Sequence, residues 1–132
     1  MLRGLNILVV DDEPDTIDML EAILVRNGAA IIKASSAVEA LGFVAACEPD
    51  IIISDIGMPE KDGYELIRQI RGGQRPEARK IPAIALTAYV RENERLMALS
   101  AGYQEHLAKP VDPEILIETI ADLANGKIEN GE

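Results

Sequence analysis

The sequence predicts an α/β domain: five parallel strands in the order 2-1-3-4-5, covered on both faces by helices. Three observations predict it. Short apolar runs rich in β-branched residues recur as ILVV (7–10), AIIKA (30–34), DIIIS (50–54) and IPAIALT (81–87), with a weaker fifth run, EHLA (105–108). They are uniformly apolar rather than alternating, as suits parallel strands buried on both sides. Each is followed by a stretch with helical spacing, and strand–helix alternation of this length implies right-handed crossovers.

The helices follow in order. Pro14 opens the first at a first-turn position; Ile17, Leu20 and Leu24 share a face and Gly28 stops it. Ser36-Ala-Val-Glu39 is a capping box that starts the second, which runs through Leu41 and Val44 to Glu48. Asp62-Gly63 begins the third, with Leu66, Ile67 and Ile70 facing inward and Gly72-Gly73 as its end. The fourth spans about Arg91 to Ser100 and stops at Gly102. Asp112 caps the last, Pro113 sits in its first turn, and Leu116, Ile117, Ile120 and Leu123 form its apolar set. Five βα units of this kind fit the flavodoxin-like three-layer sandwich. One domain is expected over residues 1–124, with a polar, fraying tail at 125–132 (NGKIENGE).

Composition narrows the function. The 132 residues are 48% apolar and 27% charged, ordinary for a globular domain, and carry a net charge of −10. A surface of that sign repels phosphate backbones, so no direct nucleic-acid binding is expected. No apolar run reaches the length of a bilayer span, the N-terminus lacks a signal-peptide pattern, and a cytoplasmic domain is the default. The single Cys47 is expected to be a small buried hydrophobe, and the basic residues of RQIRGGQRPEARK (68–80) a solvated helix end and loop.

In open parallel sheets the ligand site lies at the carboxyl ends of the strands. There the chain places Asp11, Asp12 and Glu13 after the first strand, Ser54-Asp55 at the end of the third, Thr87 at the fourth and Lys109-Pro110 at the fifth. Adjacent acids repel one another unless a cation relieves them. Carboxylate oxygens with a backbone carbonyl and retained waters suit Mg²⁺ better than Ca²⁺. A carboxylate beside such an ion, with Lys109 and Thr87 near, is set to accept a phosphoryl group.

The segments VVDDEPD, SDIGMPEKDGYELI, IPAIALTAY and LAKPVDP resemble the receiver domain of two-component response regulators, over about Asn6 to Leu123. DIGMP, DGYELI and IALTAY are most similar to receivers of hybrid sensor histidine kinases. The resemblance implies that Asp55 is the phosphoacceptor and that Asp12, Asp55 and the Gly57 carbonyl hold Mg²⁺, with Asp11 acting largely through water. It implies that Lys109 pairs with the phosphoryl oxygens, that Thr87 moves toward them, and that Lys109-Pro110 is cis. Met58-Pro59 and Gly63 would shape the loop after the acceptor. One departure is His106, where the family usually carries an aromatic that turns inward upon phosphorylation; an imidazole is smaller and titrates near neutral pH. Others are Gly57, two residues after the acceptor, and Tyr89, two after Thr87.

Implied partners are a histidine kinase or histidine phosphotransfer domain, docking near the first helix. An output partner would meet the face made by the fourth helix, fifth strand and fifth helix, and a homodimer is admitted. The domain would catalyse only its own phosphorylation and dephosphorylation, either as a stand-alone regulator or as part of a hybrid kinase. Two rivals fail on residues: a flavin site would need a phosphate-cradling loop where DDEP stands, and no GxxxxGK[ST] loop for a nucleotide is present. A third, a receiver-shaped module that docks partners without being phosphorylated, is expected to lose an acid or the lysine. This sequence keeps them all.

Overall fold

The computed structural model describes residues 2–58, 61–73, 76–88 and 92–125. Along the chain run β1 (Asn6–Val10), α1 (Pro14–Arg26), β2 (Ala30–Ala34), α2 (Ala37–Cys47), β3 (Ile51–Asp55) and α3 (Gly63–Arg71). A short 3₁₀ turn (Ala78–Lys80) precedes β4 (Ala83–Thr87), α4 (Glu92–Ala101), β5 (Glu105–Ala108) and α5 (Pro113–Ala124). All strand pairs are parallel, in the order β2-β1-β3-β4-β5, so the expected topology holds. Asn125 is exposed, and the rest of the anticipated tail lies outside the described residues.

Strand side chains alternate between two cores. Ile7, Val9, Ile51, Ile53, Ile84 and Leu86 meet Ile17, Leu20 and Leu24 of α1 and Leu116, Ile120 and Leu123 of α5. Leu8, Val10, Ile52, Ala83 and Ala85 meet Ala37, Ala40 and Val44 of α2, Leu66, Ile67 and Ile70 of α3, and Ala98 of α4. Each fully buried Leu or Ile contributes about 1.5–3 kcal/mol of transfer free energy. The central strands β1, β3 and β4 are buried along nearly their whole length. The edge strands β2 and β5 are only partly covered, because each has a neighbour on one side alone.

Caps agree with the sequence, with one shift. Asp62 Oδ1 accepts from the Glu65 amide at 3.0 Å, and Asp112 Oδ1 from those of Glu114 and Ile115 at 2.9 and 3.3 Å. Ser36 Oγ accepts from the Glu39 amide at 3.2 Å, but the Glu39 carboxylate returns one residue earlier, to the Ser35 amide at 2.7 Å. The Ser35 hydroxyl supplies a second donor to that oxygen, and so competes with the Ser36 amide.

Two expectations are corrected. Cys47 is exposed, because it is the last residue of α2, where the helix runs past the core that covers Ala40 and Val44. Within the basic stretch Arg71 is half-buried rather than solvated. Its guanidinium donates to the carbonyls of Gly102 (3.0 Å), Arg79 (3.1 Å) and Ile81 and to Gln104 Oε1 (3.0 Å). That Gln104 oxygen also accepts the Ala83 amide, so Arg71 ties the end of α3 to the starts of β4 and β5.

Candidate functional site

Strand register decides what meets at the top of the sheet. Val10 pairs with Ser54, Asp55 with Leu86 and Thr87 with Ala108, so four strands end level. The next ladder steps continue past the strand ends: the Asp11 amide donates to Ala34 at 3.1 Å, Ile56 to Leu86 at 3.0 Å and Lys109 to Thr87 at 2.8 Å. The backbone therefore fixes where Asp11, Asp55, Thr87 and Lys109 stand before any side chain interacts.

Lys109 lies at the centre. Its Nζ is 3.0 Å from Asp11 Oδ2, 3.2 Å from Asp55 Oδ1 and 3.7 Å from Glu13 Oε1. Asp11 is fully buried and Asp55 and Thr87 nearly so, whereas Asp12 and Glu13 are exposed. Asp55 Oδ1 also accepts a long bond from the Gly57 amide at 3.4 Å, and Asp11 Oδ1 accepts the Glu13 amide at 2.9 Å. The Lys109–Pro110 peptide bond is cis.

The charges are strongly conditioned by burial. Burial pushes the Asp11 carboxyl above its usual range, and the nearby Asp55 charge adds to that; the Glu13 amide and Lys109 offset it only in part. Burial presses the Lys109 ammonium down, but its bond to Asp11 and the charges of Asp55 and Asp11 outweigh this and hold it above the ordinary lysine value. One cation thus stands among acids that outnumber it.

Asp11, Asp12 and Asp55 each offer a carboxylate oxygen, all within 4.8 Å of one another. An all-oxygen set with one exposed member fits a hard dication that keeps part of its water shell, as Mg²⁺ does. Beside this cluster opens a pocket of about 390 Å³ lined by Glu13, Asp55, Gly57, Thr87 and Lys109, and also by Tyr64, Glu94 and Met97. Sequence reasoning did not anticipate these last three; helical phase would have placed Tyr64 on the top of α3, whereas α4 showed no face to read. Gly57 is exposed, and Gly63 is packed beneath the loop. Pro59 and Tyr89 lie outside the described residues.

His106 does not reach the pocket walls. It is half-buried on β5 opposite Ala85, with Nε2 shielded from water and bonded to no described group. Burial and the charge of Arg95 push its pKa down, and Glu94 opposes them.

A flavodoxin-like α/β domain whose strand ends gather buried acids, a threonine and a lysine in one pocket defines a recognisable class of protein. The sequence profile of the response regulator receiver domain matches residues 7–121, and the chain belongs to that family. It is 46% identical over 119 residues to an uncharacterized 14.6 kDa protein of Leptolyngbya boryana, covering 90% of this chain and 89% of that one. It is 35% identical to hybrid signal transduction histidine kinase D of Dictyostelium discoideum over 85% of this chain but 8% of the kinase. The crystal structure of a putative response regulator from Chloroflexus aurantiacus superposes with a TM-score of 0.87 at 31% identity, covering 93% of this chain and 99% of that one. The protein is therefore a receiver domain of two-component signalling, of a kind found both as small proteins and inside long kinases. Among the described residues no helix is long and apolar enough to cross a membrane.

Proposed function

We propose that this domain is a phosphorylation-controlled switch that accepts a phosphoryl group on Asp55 from a phosphohistidine of a kinase or phosphotransfer partner. The observation that carries the reading is the position of Lys109 Nζ, 3.0 Å from Asp11 and 3.2 Å from Asp55 with Thr87 on the wall of the same pocket. A carboxylate oxygen of Asp55 attacks the phosphorus; the new P–O bond forms as the P–N bond breaks, and the imidazole of the donor leaves with the electron pair. Such a transfer needs alignment and neutralised charge more than covalent help.

Asp11, Asp12 and Asp55 would hold Mg²⁺, with the Gly57 carbonyl as a further ligand; bound there, the ion supplies positive charge to the phosphoryl oxygens. Lys109 pairs with one of those oxygens and so exchanges an Asp55 contact for a phosphoryl contact. Thr87 closes from the β4 side. The resulting change shifts a pre-existing equilibrium at α4, β5 and α5, where the output partner docks, while the phosphodonor docks on α1. Pro110, Pro59 and Gly63 shape the loops around the site, and the site of action is cytoplasmic. The docking-only alternative is disfavoured because every acid and the lysine are retained and Asp11, Asp55 and Lys109 are in contact.

Intact mass after incubation with Mg²⁺ and a small acyl phosphate tests the reading. A gain of one phosphoryl group in the native chain and none in Asp55→Asn is expected. Equal labelling of the variant would move the acceptor elsewhere.

A further inference from the structure

Tyr103 is not among the residues that the receiver resemblance marks, yet it is 3% exposed and its hydroxyl is directed at the acceptor loop. It follows Gly102, whose φ of +133° ends α4 and turns the chain toward β5. The hydroxyl donates to the Gly63 carbonyl at 2.8 Å, forty residues away in sequence, and lies beside the Ser54 hydroxyl. Burial pushes this phenol far above the usual tyrosine range, so it remains a neutral donor at any working pH.

Gly63 is the piece between Tyr103 and the acceptor. Its amide donates to the Ile56 carbonyl at 3.0 Å. A Cβ added there would stand 2.6 Å from the Asp55 carbonyl oxygen, 2.8 Å from Ile56 Cα and 3.1 Å from Tyr103 Oη. The first two are backbone atoms with no freedom to retreat, so the start of α3 lies flat against the turn that carries Asp55. Ser54 Oγ donates to the Asp55 carbonyl at 3.0 Å from the same side. The acceptor turn is thus backed by Gly63, whose amide is held by Ile56 and whose carbonyl is held by one buried phenol.

We propose that Tyr103 is a positioning residue for phosphoryl acceptance: its hydroxyl, through Gly63, fixes the Asp55–Met58 turn so that the acceptor carboxylate and the Gly57 backbone stay aligned with Lys109. The inference rests on Asp55 being the acceptor. A side chain that acts this way changes the rate of the aligned complex rather than the encounter with the donor. Tyr103→Phe keeps the ring and deletes only the hydroxyl.

The test measures phosphorylation of the full chain by acetyl phosphate with saturating Mg²⁺, for the native protein, Tyr103→Phe, and Ile120→Val as a control in the opposite core. The saturating rate constant of Tyr103→Phe should fall about three- to tenfold, the range expected for one lost neutral hydrogen bond, with the KM for acetyl phosphate unchanged. Ile120→Val should keep the native rate despite a lower Tm. A Tyr103→Phe rate within about twofold of native, or an equal loss in both variants, would overturn the positioning role and leave a packing residue. If the native chain takes no label from acetyl phosphate or from a phosphohistidine donor, the acceptor assignment itself fails and the inference falls with it.

Discussion

The two cores that flank the sheet are built from different materials. Against α1 and α5 the filling is Ile, Leu and Val with Ala29, and the buried Asp55 at the end of β3 shares its strand parity with Ile51 and Ile53 of that core. Against α2, α3 and α4 it includes Ala34, Ala37, Ala40, Ala83, Ala85 and Ala98, and it holds the Tyr103 ring. Ser54 shares its strand parity with Ile52 of that second core, and His106 pairs across the sheet with Ala85. Branched side chains interlock in one arrangement, whereas alanines and hydrogen-bonded groups leave bonds that can be exchanged at little cost in buried area. The α1/α5 side is the more interlocked, anchoring side of the fold, and the α2–α4 side is the more yielding one.

The largest effect should come from breaking the anchoring side. Leu116 is fully buried, and Leu116→Ala should cost about 3 kcal/mol in a urea melt, within the range of roughly 2–5 kcal/mol for such truncations. Folded Leu116→Ala should still label on Asp55, in contrast to Tyr103→Phe, which should lose rate more than stability. A cost below about 1 kcal/mol would mean that this side is loosely packed and the contrast is false.

A smaller effect of the opposite sign is expected at the site. Burial holds the Asp11 carboxyl above its usual pKa, so the folded state binds its proton more tightly than the unfolded chain does. The stability linked to Asp11 is therefore fully present below the usual value of 3.8 and is lost as pH rises through the raised folded value. At neutral pH the ionised group is a burden on the fold. In metal-free buffer Asp11→Asn should raise the Tm, while phosphorylation with Mg²⁺ slows. A lower Tm would show that the bond to Lys109 outweighs the burial.

The strands, helices and their order were legible because each rests on local pattern: β-branched runs, Pro at first turns, Asp and Ser caps. The strand-end residues were legible for the same reason, since parallel register brings them level whatever the loops do. What could not be read were contacts set by tertiary approach. Tyr103 looks like an isolated aromatic in AGYQEH until α4 turns it toward Gly63. Arg71 looks like one of five basic residues until four acceptors from two segments, those leading into β4 and β5, converge on it. Cys47 carried only a residue-type tendency, and its place at a helix end overrode that.

The gentlest test of the contrast uses His106, a titratable group on the yielding side. Its pKa is lowered by burial and by Arg95 on α4, with Glu94 on the same helix pulling the other way. A base whose folded pKa is depressed destabilises the fold when it must be protonated. Stability is therefore retained above the usual value of 6.5 and lost as pH falls from there through the lowered value. His106→Phe removes this one titration and leaves the carboxylates in place. Urea midpoints of the two proteins should run parallel above about pH 7 and diverge below about pH 6, the native chain losing more. Parallel curves throughout would mean that the ring accepts its proton without cost and that β5 already yields to the charge. In that case a protonated His106 would be tolerated at the readout strand, and the shielded Nε2 would mark looseness rather than tension.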